Sequence, residues 1–343
     1  MYVLSFILGF VKGKSSNKFN DNELANALDY INGEQVYPVK YYDGDTLLKT
    51  EYRARGSVPT YAGPADKTDQ IFAGWDHAFV TIYGDQEYHA VWEEKVSFAT
   101  ASWADISRVS ESGRASRHFN VGDTKNVEIS YTGGTKGTLQ VAIAGFDHDI
   151  RSDNGVSAAG ISIVCMNVPN FARRWSAYTA NYAQYSHYYD QSYIPTVLLS
   201  ECFNKLPSEL TNVIKTVRKK IDAQTAYSGT GTVGTTDIDA NLWLLSLTEM
   251  NVRLPVLSAD ASTSQEIHTL GSPYPLFEAE GSLGVFNPVY VEGKTTAVDY
   301  WTRQLAPVAR NTYCPCYIES SSSIPKYTDS ILLTKYIRFG FCV

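Results

Sequence analysis

Apolar positions along the 343-residue chain change texture three times. Met1 to Val11 is apolar throughout, and behind it Asn20 or Asp21 can cap a short helix with Leu24, Ala27, Leu28 and Ile31 on one side, ended by Gly33. The apolar run is shorter than the ~18–20 residues needed to span a bilayer. It also lacks the basic region and small-residue cleavage site of a secretory leader, although a processed leader is the alternative reading. Residues 1–35 are therefore expected to form an attachment or oligomerisation arm, since an uncovered apolar strip would aggregate.

Residues 36–94 read as strands and turns. Val36 to Tyr42 runs into Asp43-Gly44-Asp45, a hairpin signal, and Leu47 to Tyr52 returns. An irregular loop through Gly56, Pro59, Gly63 and Pro64 follows, then further strands at Phe72–Trp75 and Tyr88–Trp92 around Gly84-Asp85. In so small a module Trp75 and Trp92 are expected in the core.

From residue 95 the pattern mixes helix and strand. Trp103, Ile106 and Val109 mark a helix ending before Gly113. His118–Asp123 and Asn126–Tyr131 are expected as a strand pair, and Leu139, Val141 and Ile143 as one face of a half-buried strand; Gly160–Val164 is another. Ile194, Val197, Leu198 and Cys202 form one helical stripe, and Pro207-Ser208-Glu209 opens a second helix with Leu210, Val213, Ile214 and Val217 on one face. These two helices are expected side by side, with the basic run Lys215–Lys220 at a helix end. Gly229–Thr236 reads as a small-residue loop, and Leu242–Ser246 as a strand buried on both faces. The alternation from Tyr336 to Phe341 predicts a terminal strand docked in a sheet. The fold class is α+β.

Composition narrows the function. With 44% hydrophobic and 19% charged residues the chain can build cores, and it is longer than the ~100–200 residues of one domain. A net charge of −7 gives no attraction for a phosphate backbone, so no nucleic-acid partner is expected. Five cysteines without paired spacing define neither a disulfide framework nor a zinc site. The 24 tyrosines point to recognition surfaces, because tyrosine couples a large rigid face to a polar tip. Tyr178, Tyr182, Tyr185 and Tyr189, with Tyr188 and Tyr193 nearby, share a helical spacing that suits packing or a subunit contact. Asp147, His148, Asp149 and Asp153 could offer oxygens to Ca²⁺, but the spacing is not that of an EF-hand, and structural hydrogen bonding is the preferred reading. Cys314 and Cys316 are two soft ligands on a loop and a weak metal signal. No nucleophile, zinc-protease or phosphate-loop motif occurs, so no catalytic residue, metal or cofactor is expected, and the chain is read as not an enzyme.

Two resemblances organise these elements. The Asp43-Gly44 hairpin, G-x-V-P at Gly56–Pro59, F-x-G-W at Phe72–Trp75 and the Y-x-A-x-W ending at Trp92 together resemble the internalin-type B repeat, a β-grasp-like module of Gram-positive surface proteins and their phages. It implies a spacer or adhesive unit over 36–94. W-A-D-I-x-x-V-S from Trp103, F-x-V-G-D from Phe119, I-A-G-F-D-H-D from Ile143 and L-P-S-E-L-T-N-V-I-K-T-V from Leu206 come in order, followed by L-W-L-L-S, Y-P-L-F, Y-W-T-R and the final R-F-G-F-C-V. This set, over residues 95–343, resembles the C-terminal ligand-presenting domain of tail and fibre proteins from phages and prophages of Firmicutes. Such domains have a C-type-lectin-like scaffold, shared with formylglycine-generating enzymes.

The second resemblance implies a target of a diversity-generating retroelement between Tyr300-Trp301-Thr302-Arg303 and Arg338. Residues 304–337 depart from the family's usual Asn-, Ser- and Gly-rich filling, and only Gln304, Glu319, Lys326 and Lys335 are types that rewritten Asn codons do not yield. The implied function is a virion receptor-binding or adhesion protein on a phage tail or capsid surface, acting at the bacterial cell surface on a host protein or glycan. Its arm would join other virion proteins, and a homotrimer is expected. Tyr300, Trp301, Arg303, Arg310, Tyr313, Tyr317 and Tyr327 are the expected ligand-binding residues; Trp301 and Arg303, in the preserved motif, have scaffold as their alternative. The rival reading is a purely structural tail, baseplate or capsid-decoration protein.

Overall fold

Asp43-Gly44-Asp45 closes a hairpin because glycine can take the left-handed conformation the turn requires. Gly44 has φ +57°, and β1 (Val36–Asp43) pairs antiparallel with β2 (Thr46–Ala54) from Asp43↔Thr46 onward. β3 (Gln70–Trp75) and β4 (Gln86–Glu94) complete a four-stranded sheet of order β2-β1-β4-β3, in which β1 and β4 run parallel. The computed structural model describes residues 35–153, 157–176, 188–224, 233–252, 267–279, 288–309, 312–321, 325–328 and 333–343. Contacts divide the chain into two units, one ending at Lys95 and one spanning Val96–Val343. The expected arm, apart from Gln35, lies outside the described residues, as do Tyr178, Tyr182 and Tyr185.

The core of the first unit is built on Val39, Tyr41, Ile82 and Tyr88, all fully buried, with the two tyrosine rings stacked 5.7 Å apart. Trp75 packs against this group half-buried. Trp92 does not join it. Its indole N–H needs an acceptor and finds Asp43 at 2.8 Å, while the Lys67 ammonium stands 3.9 Å above its ring, so Trp92 sits half-buried at the rim.

In the second unit α1 (Trp103–Glu111) forms as the spacing predicts. Ser102 caps it by accepting from the Asp105 N–H, and Trp103, Ile106 and Val109 are buried. His118–Asp123 is not the expected strand: His118 ends a one-turn helix, α2 (Ala115–His118), and a turn at Asn120–Asp123 leads into β5 (Thr124–Ser130). β6 (Lys136–Phe146) alternates only in its first half; from Val141 to Gly145 every residue is buried, because the strand lies inside a sheet covered on both faces. β7 (Ile161–Cys165) follows, buried throughout.

β8 (Ala172–Arg174), α3 (Ile194–Val197), a π turn (Leu198–Cys202) and α4 (Ser208–Thr211) come next. The second expected helix is thus a single turn. Val217 and the rest of the basic run, Arg218 to Lys220, belong instead to β9 (Val217–Gln224), where Val217, Lys219 and Ile221 point in while Arg218 and Lys220 point out; Lys215 stands before it, in a β-bridge with Cys342. Strand alternation wins over helix periodicity here because β9 pairs along its whole length with β10 (Val233–Ala240), which also absorbs the end of the expected glycine-threonine loop. Leu242–Ser246 is fully buried as predicted, although only β11 (Trp243–Leu244) pairs as a strand. α5 (Pro275–Ala279) precedes the C-terminal strands β12 (Tyr300–Ala309), β13 (Thr312–Ile318), β14 (Pro325–Tyr327), β15 (Thr334–Ile337) and β16 (Phe339–Cys342).

Two five-stranded sheets result, β11-β16-β7-β6-β5 and β14-β13-β12-β15-β8, together with the β9–β10 ribbon. Helices are few and short, so the fold is largely β. The expected single terminal strand is two strands in different sheets. β15 lies between β12 and β8, β16 between β7 and β11, and the chain crosses at Arg338. Arg338 is buried, donates from Nε to the Cys165 carbonyl at 2.8 Å and from a terminal nitrogen to the Tyr300 hydroxyl at 3.2 Å. One apolar cluster holds Trp301, Leu305, Ile337, Phe339 and Phe341, and another holds Tyr300, Ala306, Cys316 and Cys342. Both sheets therefore supply both clusters, which is why their strands carry apolar residues on successive positions.

Candidate ligand-binding site

The largest set of charges in the second unit is internal. Lys219, reaching inward from β9, pairs with Asp149, donates to Glu249 at 2.9 Å and to the Tyr274 hydroxyl at 2.8 Å, and lies 3.8 Å above the Trp243 ring. Arg303 grips Glu249 through both terminal nitrogens at 2.5 and 2.7 Å and donates to the Leu244 carbonyl at 2.7 Å. Tyr274 and Ser162 each donate to Asp149 at 2.8 Å. Burial acts to raise the Asp149 and Glu249 carboxyls, but Lys219 acting on Asp149, and Arg303 with Lys219 acting on Glu249, hold both below the ordinary carboxylate range. Two cations and two anions close on one another and on neutral donors, the arrangement a buried charge set requires. Of the possible Ca²⁺ oxygens, Asp149 is thus committed to hydrogen bonding, and among the described residues no three His, Cys, Asp or Glu side chains converge as a metal site.

The seven expected ligand-binding residues part company. Tyr300, Trp301 and Arg303 are buried, at 2%, 0% and 0% exposure, and face the clusters and the charge network rather than solvent. They are scaffold, because β12 is the middle strand of its sheet and is covered on both sides. Arg310 lies outside the described residues; Tyr313 is on β13, its side chain outside them. Tyr317 is half-buried against Trp301, with the Lys335 ammonium 3.9 Å over its ring. Tyr327 is exposed. Within 304–337 the buried positions include Gln304, Leu305, Ala306, Cys314, Cys316 and Ile337, whereas Ser321, Lys326, Leu333 and Thr334 face solvent. The region is a sheet with exposed turns and edges, not a free loop. Cys314 and Cys316 are core residues, and burial pushes the Cys316 thiol, like those of Cys202 and Cys342, well up, and that of Cys165 to about 12.

An open cleft of about 310 Å³ lies in the second unit, within the size range of ligand pockets. β8, at the edge of the C-terminal sheet, supplies Arg173, which pairs in register with Lys335 of β15. Arg173 is fixed from three sides. It makes a two-point pair with Glu201, with Nε at 2.8 Å from one carboxylate oxygen, donates to the Ala172 carbonyl at 2.8 Å and stacks 4.7 Å over the Phe171 ring. The Glu201 pair raises the Arg173 guanidinium further above its already high value. Phe171 meets Tyr131 edge to face at 6.2 Å. The Tyr131 hydroxyl accepts from the Asn170 N–H at 3.0 Å and donates to Glu292, whose carboxylate comes so close to Gly137 that any side chain there would collide with it. Burial, then Glu292, raise the Tyr131 phenol. Thr132, Thr135 and Lys205 complete the wall. Sequence reasoning passed over this cleft, since Tyr131, Phe171 with Arg173, and Glu201 with Lys205 come from three separate segments and no local motif joins them.

A family described as a domain of unknown function (DUF6273) matches residues 165–343. The chain belongs to the DUF6273 family. No curated protein and no solved structure matches the chain. The DUF6273 span opens at Cys165, the last residue of β7, and holds Phe171, Arg173, Glu201 and Lys205, so the charged wall of the cleft belongs to the family region while Tyr131 stands before it. In three dimensions the DUF6273 region is not separable from β5 and β6, because β6 pairs with β7 inside one sheet.

Proposed function

We propose that the protein is an adhesion or receptor-binding component of a phage or prophage virion, with a β-grasp-like spacer of the internalin repeat type carrying a C-type-lectin-like head. The mixed sheet order of the first unit, with β1 parallel to β4 at its centre, supports the spacer reading. The ordered landmarks of residues 95–343 support the head: W-A-D-I starts α1, I-A-G-F ends β6, Y-W-T-R opens β12 and R-F-G-F-C runs into β16. Trp103, Ile106, Ile143, Tyr300 to Arg303 and Arg338 to Cys342 are buried, as residues that specify a scaffold should be, while Ala104 and Asp105 face outward.

The observation that carries the adhesive role is the cleft, where aromatic walls and a rigidly held guanidinium stand open to solvent at the edge of the C-terminal sheet. Its first test uses Thr135→Trp, a change at an exposed turn residue that fills the cleft without touching a core contact. The labelled whole protein is expected to adsorb to Gram-positive host cells, and Thr135→Trp to lower adsorption about tenfold at an unchanged denaturation midpoint, as loss of a hot-spot contact does. Absence of adsorption to every strain would favour the structural virion role.

A further inference from the structure

We propose that the cleft at Tyr131, Phe171, Arg173 and Lys205 binds an anionic saccharide, a pyranose ring bearing a carboxylate or a phosphate. This rests on the adhesive reading above and names the chemistry of its ligand. The walls divide by type. Tyr131 and Phe171 offer apolar ring surface of the kind against which the C–H face of a sugar packs. Thr132 and Thr135 add exposed hydroxyls to the wall, suited to ring hydroxyls, while the Asn170 side-chain oxygen already accepts from Lys294 at 2.9 Å and its amide nitrogen is left to donate.

Charge selects among sugars. The cleft is lined by two cations, Arg173 and Lys205, and one anion, Glu201. Glu201 is consumed by Arg173, so Lys205, half-buried and without an ion-pair partner among the described residues, is left as a free positive charge in the wall. Of the five N–H donors on a guanidinium, Glu201 and the Ala172 carbonyl take three of those on Arg173, leaving two for a ligand oxygen. A chain with net charge −7 does not gather anions by its overall field, so an anion that binds here must be recognised locally. Because the Arg173, Phe171 and Tyr131 side chains are already locked by their neighbours, binding orders few rotamers.

The test titrates the whole chain with glucuronate, glucose 1-phosphate and glucose, read by saturation-transfer NMR, with inorganic phosphate, which has no C–H proton to observe, read by its competition against glucose 1-phosphate. Both charged sugars are expected to bind at millimolar concentrations, and Lys205→Gln to weaken them about tenfold by removing a charge-assisted hydrogen bond, leaving glucose unaffected. Which charged sugar binds more tightly tells a carboxylate source from a phosphate source. Binding by neither charged sugar, equal binding by Lys205→Gln, or inorganic phosphate binding as tightly as glucose 1-phosphate would each overturn the proposal. Cell adsorption measured on the same samples separates the two readings. Adsorption that Thr135→Trp abolishes, in a protein blind to both charged sugars, leaves the adhesive role standing and removes only the ligand class. Sugar binding with adsorption untouched by Thr135→Trp does the reverse.

Discussion

Lys219 is a residue whose chemistry is set by its neighbours. It is 2% exposed on a strand whose flanking basic residues, Arg218 and Lys220, face solvent. A lone ammonium there would not survive desolvation, and Asp149, Glu249, Tyr274 and the Trp243 face together replace its water. Lys219→Met keeps the length of the side chain but leaves two buried carboxylates with Arg303 as their one remaining buried cation among the described residues, beside the neutral donors Ser162, Tyr274 and the Ser246 N–H and the His148 ring. The loss should be about 3–5 kcal/mol, the usual cost of breaking one side of a buried pair, read as a lowered urea midpoint for the second unit. Lys205 is the opposite case, a half-buried lysine with no ion-pair partner among the described residues, which suits binding rather than stability.

At the level of elements, close approach decides what connects to what. Gly160 lies between the turn after β6 and the start of β7, at φ +84°, and its carbonyl accepts from the Asp147 N–H at 2.7 Å. A Cβ placed on it would come within 2.0 Å of the Ser110 hydroxyl near the end of α1. Gly160→Ala therefore meets a left-handed backbone and a packed helix at once, and should cost roughly 1–3 kcal/mol from backbone strain alone, visible as a lower melting temperature. The β15–β16 break follows the same logic. At Arg338 the chain leaves one sheet for the other, and the guanidinium fills the junction by satisfying the Cys165 carbonyl and the Tyr300 hydroxyl.

For the molecule as a whole, the buried carboxylates give the second unit a defined response to acid. Asp149 and Glu249 have folded-state values depressed below their ordinary values of 3.8 and 4.5. The stability they contribute is complete above those ordinary values and is lost as pH falls through the depressed ones. Asp222 runs the other way: burial raises it against the pull of His268, so protonating it relieves a cost. Two depressed groups oppose one raised group, and the expected outcome is a denaturation midpoint that falls between pH 5 and pH 2, with a shallower fall in Asp149→Asn; a midpoint flat over that range would contradict the assignment of the network as ionised. The same wholeness explains why the DUF6273 match begins inside a folded unit: β5 and β6 complete the sheet that β7 and β16 require.

Local pattern determined much of this protein. The Asp43-Gly44 hairpin, α1, β7, the buried Leu242–Ser246 run and the presence of a docked C-terminal strand follow from turn chemistry and periodicity, which depend only on neighbours in sequence. Long-range packing determined the rest. Lys215–Lys220 has a helix-like spacing until a partner strand is available, and Tyr300, Trp301 and Arg303 read as display residues until a sheet closes over them. The cleft is the clearest instance, since Arg173 and Glu201 are 28 residues apart and nothing in either segment announces the other. Hydrophobic periodicity is written along the chain, whereas the pairing of charges and the enclosure of a cavity exist only once distant segments are brought to within a few ångströms.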